Sequence, residues 1–209
     1  MTESEKEAEL STVKILCKEG RETVDKQVEW MQQIDQKAIH FLRANIMFLG
    51  LLLTALSLLV QSDTFEIAPY MNIFTGLGIM ALLSSIGFAA ITYISSRFEG
   101  GVDCIDIDES VEEAYETEQL YQRLAVGYSE WIEYNGLVIK INAYLSTVTI
   151  LLTIDAIALL TIGILVGALG YDGGPISASF ILVLSATFVF LNWCILKMDD
   201  VVQIYYKAR

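Results

Sequence analysis

Residues 142–169 read NAYLSTVTILLTIDAIALLTIGILVGAL. The stretch holds one carboxylate, Asp155, and no basic residue. A helix needs roughly 20 such residues to cross the hydrocarbon core of a bilayer. A surface helix of a soluble protein would carry a polar face along the same length. Working outward, three more blocks have the same character: Leu42–Gln61 (LRANIMFLGLLLTALSLLVQ), Ile73–Ser95 (IFTGLGIMALLSSIGFAAITYIS) and Ser177–Leu196 (SASFILVLSATFVFLNWCIL). Four such blocks in 209 residues predict an all-α integral membrane four-helix bundle made of two helical hairpins.

The basic residues orient it. Cytoplasmic loops carry an excess of Lys and Arg, and acidic residues count for little in that rule. Of the thirteen, Lys6, Lys14, Lys18, Arg21, Lys26, Lys37 and Arg43 precede or begin the first block. Arg97, Arg123 and Lys140 lie between the second and third, and Lys197, Lys207 and Arg209 follow the fourth. The two other connections, QSDTFEIAPYMN and GYDGGPI, carry none and read as tight turns. The expected arrangement is a plasma-membrane protein with both termini cytoplasmic. Residues 1–41 are cytoplasmic helices, 42–96 a first transmembrane hairpin and 97–141 a cytoplasmic acidic linker with an amphipathic helix. Residues 142–196 are a second hairpin and 197–209 a cytoplasmic tail.

A net charge of −13 excludes the basic patch that nucleic acid requires, and a polybasic lipid anchor with it. Cys17, Cys104 and Cys194 are too scattered for a disulfide framework or a zinc site. The opening MTESEKEAEL lacks the basic and apolar regions of a signal peptide, so the first block is expected to remain as a span.

Outside the blocks the pattern is helical. Val24, Val28, Met31 and Ile34 recur at three- and four-residue steps and predict a helix running straight into the first span. Gly20 is expected to separate it from a shorter N-terminal helix. Ser110 and Glu113 have capping-box spacing and predict a second helix start. Leu120 or Tyr121, Leu124, Tyr128 and Trp131 or Ile132 form its stripe, with a bend expected near Asn135-Gly136. Glu29-Trp30 and Glu130-Trp131 lie about 100 residues apart in two halves of one plan. A parallel duplication and a generic likeness between hairpins with juxtamembrane aromatics both fit.

Asp155 is the sharpest chemical candidate. Intramembrane acids face a partner, a cavity or an ion path. The alternative is a structural hydrogen bond, with Asn192, Ser84, Ser85 and Thr54 as candidate partners. Asn45, Asn142 and Asn192 suit bonds between helices, and the small residues Ala81, Ser85 and Ala89, with Gly163 and Gly167, suit close helix packing. The acidic run Asp103, Asp106, Asp108, Glu109, Glu112, Glu113 and Glu116 departs from the EF-hand spacing and reads as a solvated linker. His40, the one histidine, lies at the membrane rim. No catalytic triad, phosphate loop or paired metal-ligand motif is present, so neither an enzyme nor a cofactor is expected.

Asp35, Lys37, Ala38, Leu42 and Asn45 form the string D-x-K-A-x-x-x-L-x-x-N ahead of an apolar run. This resembles the start of Pycsar-type and related two-helix membrane effectors of prokaryotic antiviral defence. The likeness covers about a dozen residues and lies within the first hairpin. It implies hairpins that assemble and disrupt the membrane when signalled. This chain has four blocks and no evident cyclic-nucleotide domain, so nucleotide gating does not carry over. The leading expectation is a non-enzymatic, self-associating membrane protein, an effector or pore, with the lipid bilayer and further copies of itself as partners. A small channel or transporter using Asp155 is the alternative. A scaffold recruiting a cytoplasmic protein is the third reading.

Overall fold

The computed structural model describes residues 3–61, 66–101 and 116–169, together with residues 186, 189, 192, 193 and 197. These residues are helical almost throughout, with no strand among them. Helix α1 spans Glu3–Val60, α2 spans Ile73–Ile94 and α3 spans Thr117–Leu169. A short 3-10 turn, Ala68–Tyr70, precedes α2 and begins at the Ala68-Pro69 step. Each of the three helices is long and apolar enough to cross a membrane, with mean hydropathies of 1.8, 2.0 and 2.4 over their most apolar stretches. Length and composition therefore mark a membrane protein. Of the fourth block, Ala186, Val189, Asn192 and Trp193 are described, with Lys197 just beyond it, and each is helical. The Ser110 helix start, most of the acidic run, Cys104 and Cys194 lie outside the described residues.

One expected interruption is not there. Helix α1 passes through Gly20 unbroken. The glycine is used for proximity: a Cβ at this position would stand 3.0 Å from Tyr128 Cβ on α3. Helix α3 likewise runs on through Asn135-Gly136, where Asn135 spends its side chain on a neighbouring segment instead of on its own backbone. The chain does turn at Gly101, whose φ of 105° is open to glycine and strained for other residues.

The described residues fall into two compact units. One draws on Met1–Ile39 and Ala90–Ser146, the other on His40–Ala89 and Thr147–Arg209. In the first, α1 and α3 lie side by side and parallel. Cys17 Sγ donates to the Tyr121 carbonyl at 3.2 Å and Gln27 Nε2 to the Ile132 carbonyl at 3.0 Å, so successive contacts pair residues about 105 apart. Tyr128 meets Trp131 edge to face at 5.3 Å. Trp30 stays exposed, so the two Glu-Trp pairs occupy different surroundings. In the second unit α2 runs antiparallel to α3, with Gly78 against Leu160, Thr75 against Gly163 and Tyr70 against Gly167.

Burial along the helices follows a seven-residue period. On α1 the buried positions include Cys17, Val24, Met31, Ala38 and Asn45. On α3 they include Asn135, Asn142, Thr149, Ala156 and Gly163. On α2, Gly78, Ser85 and Thr92 interleave with Leu82 and Ala89. A period of seven, with apolar or small residues at the seam, is that of knobs-into-holes helix packing. The expected Ala81, Ser85, Ala89 face is therefore corrected in part. Ser85 and Ala89 are buried, but an i+4 series drifts around the helix, and Ala81 is only half-buried.

Candidate functional site

The seam carries polar side chains among its apolar ones. Gln27, Asn45, Ser85, Thr92, Asn135, Asn142, Ser146 and Thr149 are all buried. In the second unit the outward faces are apolar: Ile46, Met47, Leu51, Leu77, Met80 and Ile157 are exposed. Apolar outside and hydrogen-bonded within is the arrangement a bilayer demands, because helices there gain little from burying hydrocarbon and much from close packing and amide bonds.

Each expected asparagine has a definite role. Asn45 Nδ2 donates to Ser85 Oγ at 2.9 Å and to Thr153 Oγ1 at 3.1 Å, joining α1, α2 and α3. Ser85 Oγ in turn donates to the Thr149 carbonyl at 2.9 Å. Asn142 Oδ1 accepts from Ser95 Oγ at 2.7 Å. Two further amides lacked an obvious signal. Asn135 Oδ1 accepts from the Glu99 N–H at 3.0 Å and its Nδ2 donates to the Glu99 carbonyl at 2.6 Å, so one side chain holds both backbone groups of Glu99. Asn72 caps α2, its Oδ1 receiving the Phe74 and Thr75 amides at 3.1 and 3.2 Å, while its Nδ2 donates to the Gly163 carbonyl at 2.8 Å. An Asn just before an apolar run is a helix-start signal. Its reach across to α3 is not written locally.

The residues of the string at 35–45 separate by face. Asp35, Ala38, Leu42 and Asn45 recur at steps of three and four and share one side of α1. Asp35 accepts a hydrogen bond from Ser96 Oγ, and Ala38 is 1% exposed. Lys37 points to solvent, as does His40. Gly163 and Gly167 are both buried at close approaches, where a Cβ would stand 2.3 Å from Thr75 Oγ1 and 2.7 Å from Tyr70 Cδ1 respectively.

Asp155 is half-buried in α3 and receives Asn192 Nδ2 on Oδ1 at 2.8 Å. Of the four candidate partners this is the one the geometry selects. Ser84 is exposed, Ser85 bonds Thr149 and Asn45, and the Thr54 hydroxyl donates to the Gly50 carbonyl. Asn192 Oδ1 is buried with no hydrogen-bond partner among the described residues. On α1, burial pushes the Cys17 thiol above its ordinary range. Among the described residues no three His, Cys, Asp or Glu side chains gather with metal-binding geometry.

No family model matches the chain, and neither the curated proteins nor the solved structures give a match.

Proposed function

We propose that the chain is a non-enzymatic, four-span protein of the plasma membrane with cytoplasmic termini, which self-associates and perturbs the bilayer as a membrane effector. The observation that carries this reading is the coverage of α1. Only 6% of its most apolar stretch is buried, against 28% for α2 and 33% for α3. One side of α1 is tied through Asn45, while Met47, Leu51, Leu58 and Val60 remain uncovered. A large apolar face of this kind takes lipid or another copy of itself. The string from Asp35 to Asn45 supports the same class. Induced expression with a membrane-potential dye tests the effector activity, and single cysteines at Met47, Leu51 and Leu58 test association by cross-linking in the membrane. Depolarisation with cross-linked species is expected. A monomer that leaves the potential intact would sink the proposal.

Asp155 favours a second reading, a small channel or transporter. Its carboxylate sits within an apolar helix beside an amide whose oxygen has no partner among the described residues. Such groups mark ion paths when they face water. Ion flux into liposomes that persists undiminished in Asp155→Asn would count against it.

A further inference from the structure

Helix α2 stops at Ile94, and its last turn carries no basic residue. A helix C-terminus concentrates partial negative charge on its final carbonyls, a place that favours cations and disfavours anions. Here an anion stands beside it. Asp35 of α1 accepts a hydrogen bond from Ser96 Oγ, immediately past the helix end. Ser95 Oγ and Ser96 Oγ both reach back to the Thr92 carbonyl at 3.2 Å. Asn142 of α3 closes the group, with Oδ1 2.7 Å from Ser95 Oγ and Nδ2 3.4 Å from Ser96 Oγ. Among the described residues no Lys or Arg lies within ion-pair distance of Asp35. Thr92 and Asn142 are 0% and 1% exposed, while Asp35 is half-buried and Ser95 open. The cluster therefore has a dry back wall and a solvent side.

We propose that these groups bind one alkali cation, sodium in the first instance, at the rim of the first unit. The ligands are the Asp35 carboxylate, the Ser95 and Ser96 hydroxyls, Asn142 Oδ1 and the Thr92 carbonyl. All five are hard oxygens, joined one to the next by these hydrogen bonds. One formal negative charge balances a monovalent cation. Calcium sites gather more carboxylate oxygens, and magnesium holds a rigid octahedron with several waters. Carbonyls and helix C-terminal ends are the groups with which membrane proteins replace the hydration shell of such ions. On binding, the two hydroxyl protons rotate outward so that lone pairs face the cation, and no covalent bond changes. The ion relieves the repulsion between Asp35 and the α2 terminus, and so ties α1, α2 and α3 together at one point. The site stands independently of the effector reading, because its test reads ion occupancy and not membrane perturbation.

The experiment uses the full chain in nanodiscs, with thermal unfolding followed in sodium chloride, potassium chloride and choline chloride at constant ionic strength. Sodium is expected to raise the midpoint saturably, on the order of 5 °C above choline. Equilibrium dialysis with radioactive sodium is expected to give one ion per chain. Asp35→Asn should abolish the sodium-specific rise, and Ser95→Ala should weaken the apparent sodium affinity roughly tenfold. Asp25→Asn, an exposed acid on the same helix, should keep the wild-type response. Equal midpoints in sodium and choline for the wild type would overturn the proposal, as would a sodium response that survives Asp35→Asn. Should Asp35→Asn fail to fold, an unchanged sodium affinity in Ser95→Ala would overturn it alone.

Discussion

Asn45 offers the most direct test of the polar seam. Its amide donates two hydrogen bonds, to Ser85 and Thr153, from a site that is 1% exposed. Interhelical bonds of this kind in a membrane are worth about 0.6 kcal/mol on average and up to about 1.7. Asn45→Ala removes both and leaves a small void, so a destabilisation of about 2 kcal/mol is expected. The hydroxyls it abandons fare better than the bond count implies. Ser85 and Thr153 each still donate to the Thr149 carbonyl, at 2.9 Å in both cases, and lose only an incoming donor. Asn45→Leu, which refills the space, should therefore cost only about 1 kcal/mol. A double-mutant cycle with Ser85→Ala isolates the shared bond, with an expected coupling of about 0.6 kcal/mol. Reversible unfolding in mixed micelles supplies the free energies. Asn45→Ala within about 0.3 kcal/mol of wild type, or a cycle with no coupling, would refute the claim that this amide holds α1, α2 and α3 together.

Four shorter tests accompany it. Gly163→Ala places a Cβ 2.8 Å from the Thr75 backbone nitrogen and should destabilise by more than about 2 kcal/mol, whereas Gly76→Ala and Gly87→Ala meet nothing within 4 Å and should gain up to about 1 kcal/mol in the same unfolding assay. Asn135→Ala removes both ties to Glu99, so hydrogen exchange at residues 96–101 should quicken while the core of α3 stays protected. Cys17 should alkylate far more slowly than an exposed thiol at pH 8, with labelling recovered on unfolding. Because folding raises that thiol's pKa, its contribution to stability is present below about pH 9 and is lost as pH climbs through the folded value. Cys17→Ser should flatten this alkaline limb in a pH series of unfolding midpoints.

The helices themselves were legible, because apolar length and three-four periodicity are local properties of the chain. Val24 and Met31, read as one face, are indeed buried, and the pairing of Asp155 with Asn192 was among the options that chemistry alone allowed. The failures share a cause. Gly20 looks like a break, and Asn135-Gly136 like a bend, when weighed by propensity alone, yet each serves a neighbour on another element. Tyr128 needs the missing Cβ at Gly20, and Glu99 needs the amide at Asn135. Propensity describes a helix alone, whereas the value of a small or polar residue between packed helices depends on what lies opposite. The cluster around Asp35 was missed for the same reason. Ser95, Ser96 and Asn142 are unremarkable residues until three helices bring their oxygens together. A seven-residue count of the small and amide positions would have exposed the seam, since Asn135, Asn142 and Thr149 keep that interval in the sequence.

The interval constrains how such a chain can change. One residue inserted into α1 between Cys17 and Asn45 would turn everything beyond it by about 100° and swing the seam toward lipid or water. Seven residues would nearly restore the face, short by about 20°. Length in these helices is thus inherited as strictly as composition. Outward positions such as Leu51 and Leu58 are free to drift among apolar residues of similar size. Divergent descendants of this chain would share a rhythm long after they had ceased to share a string of letters.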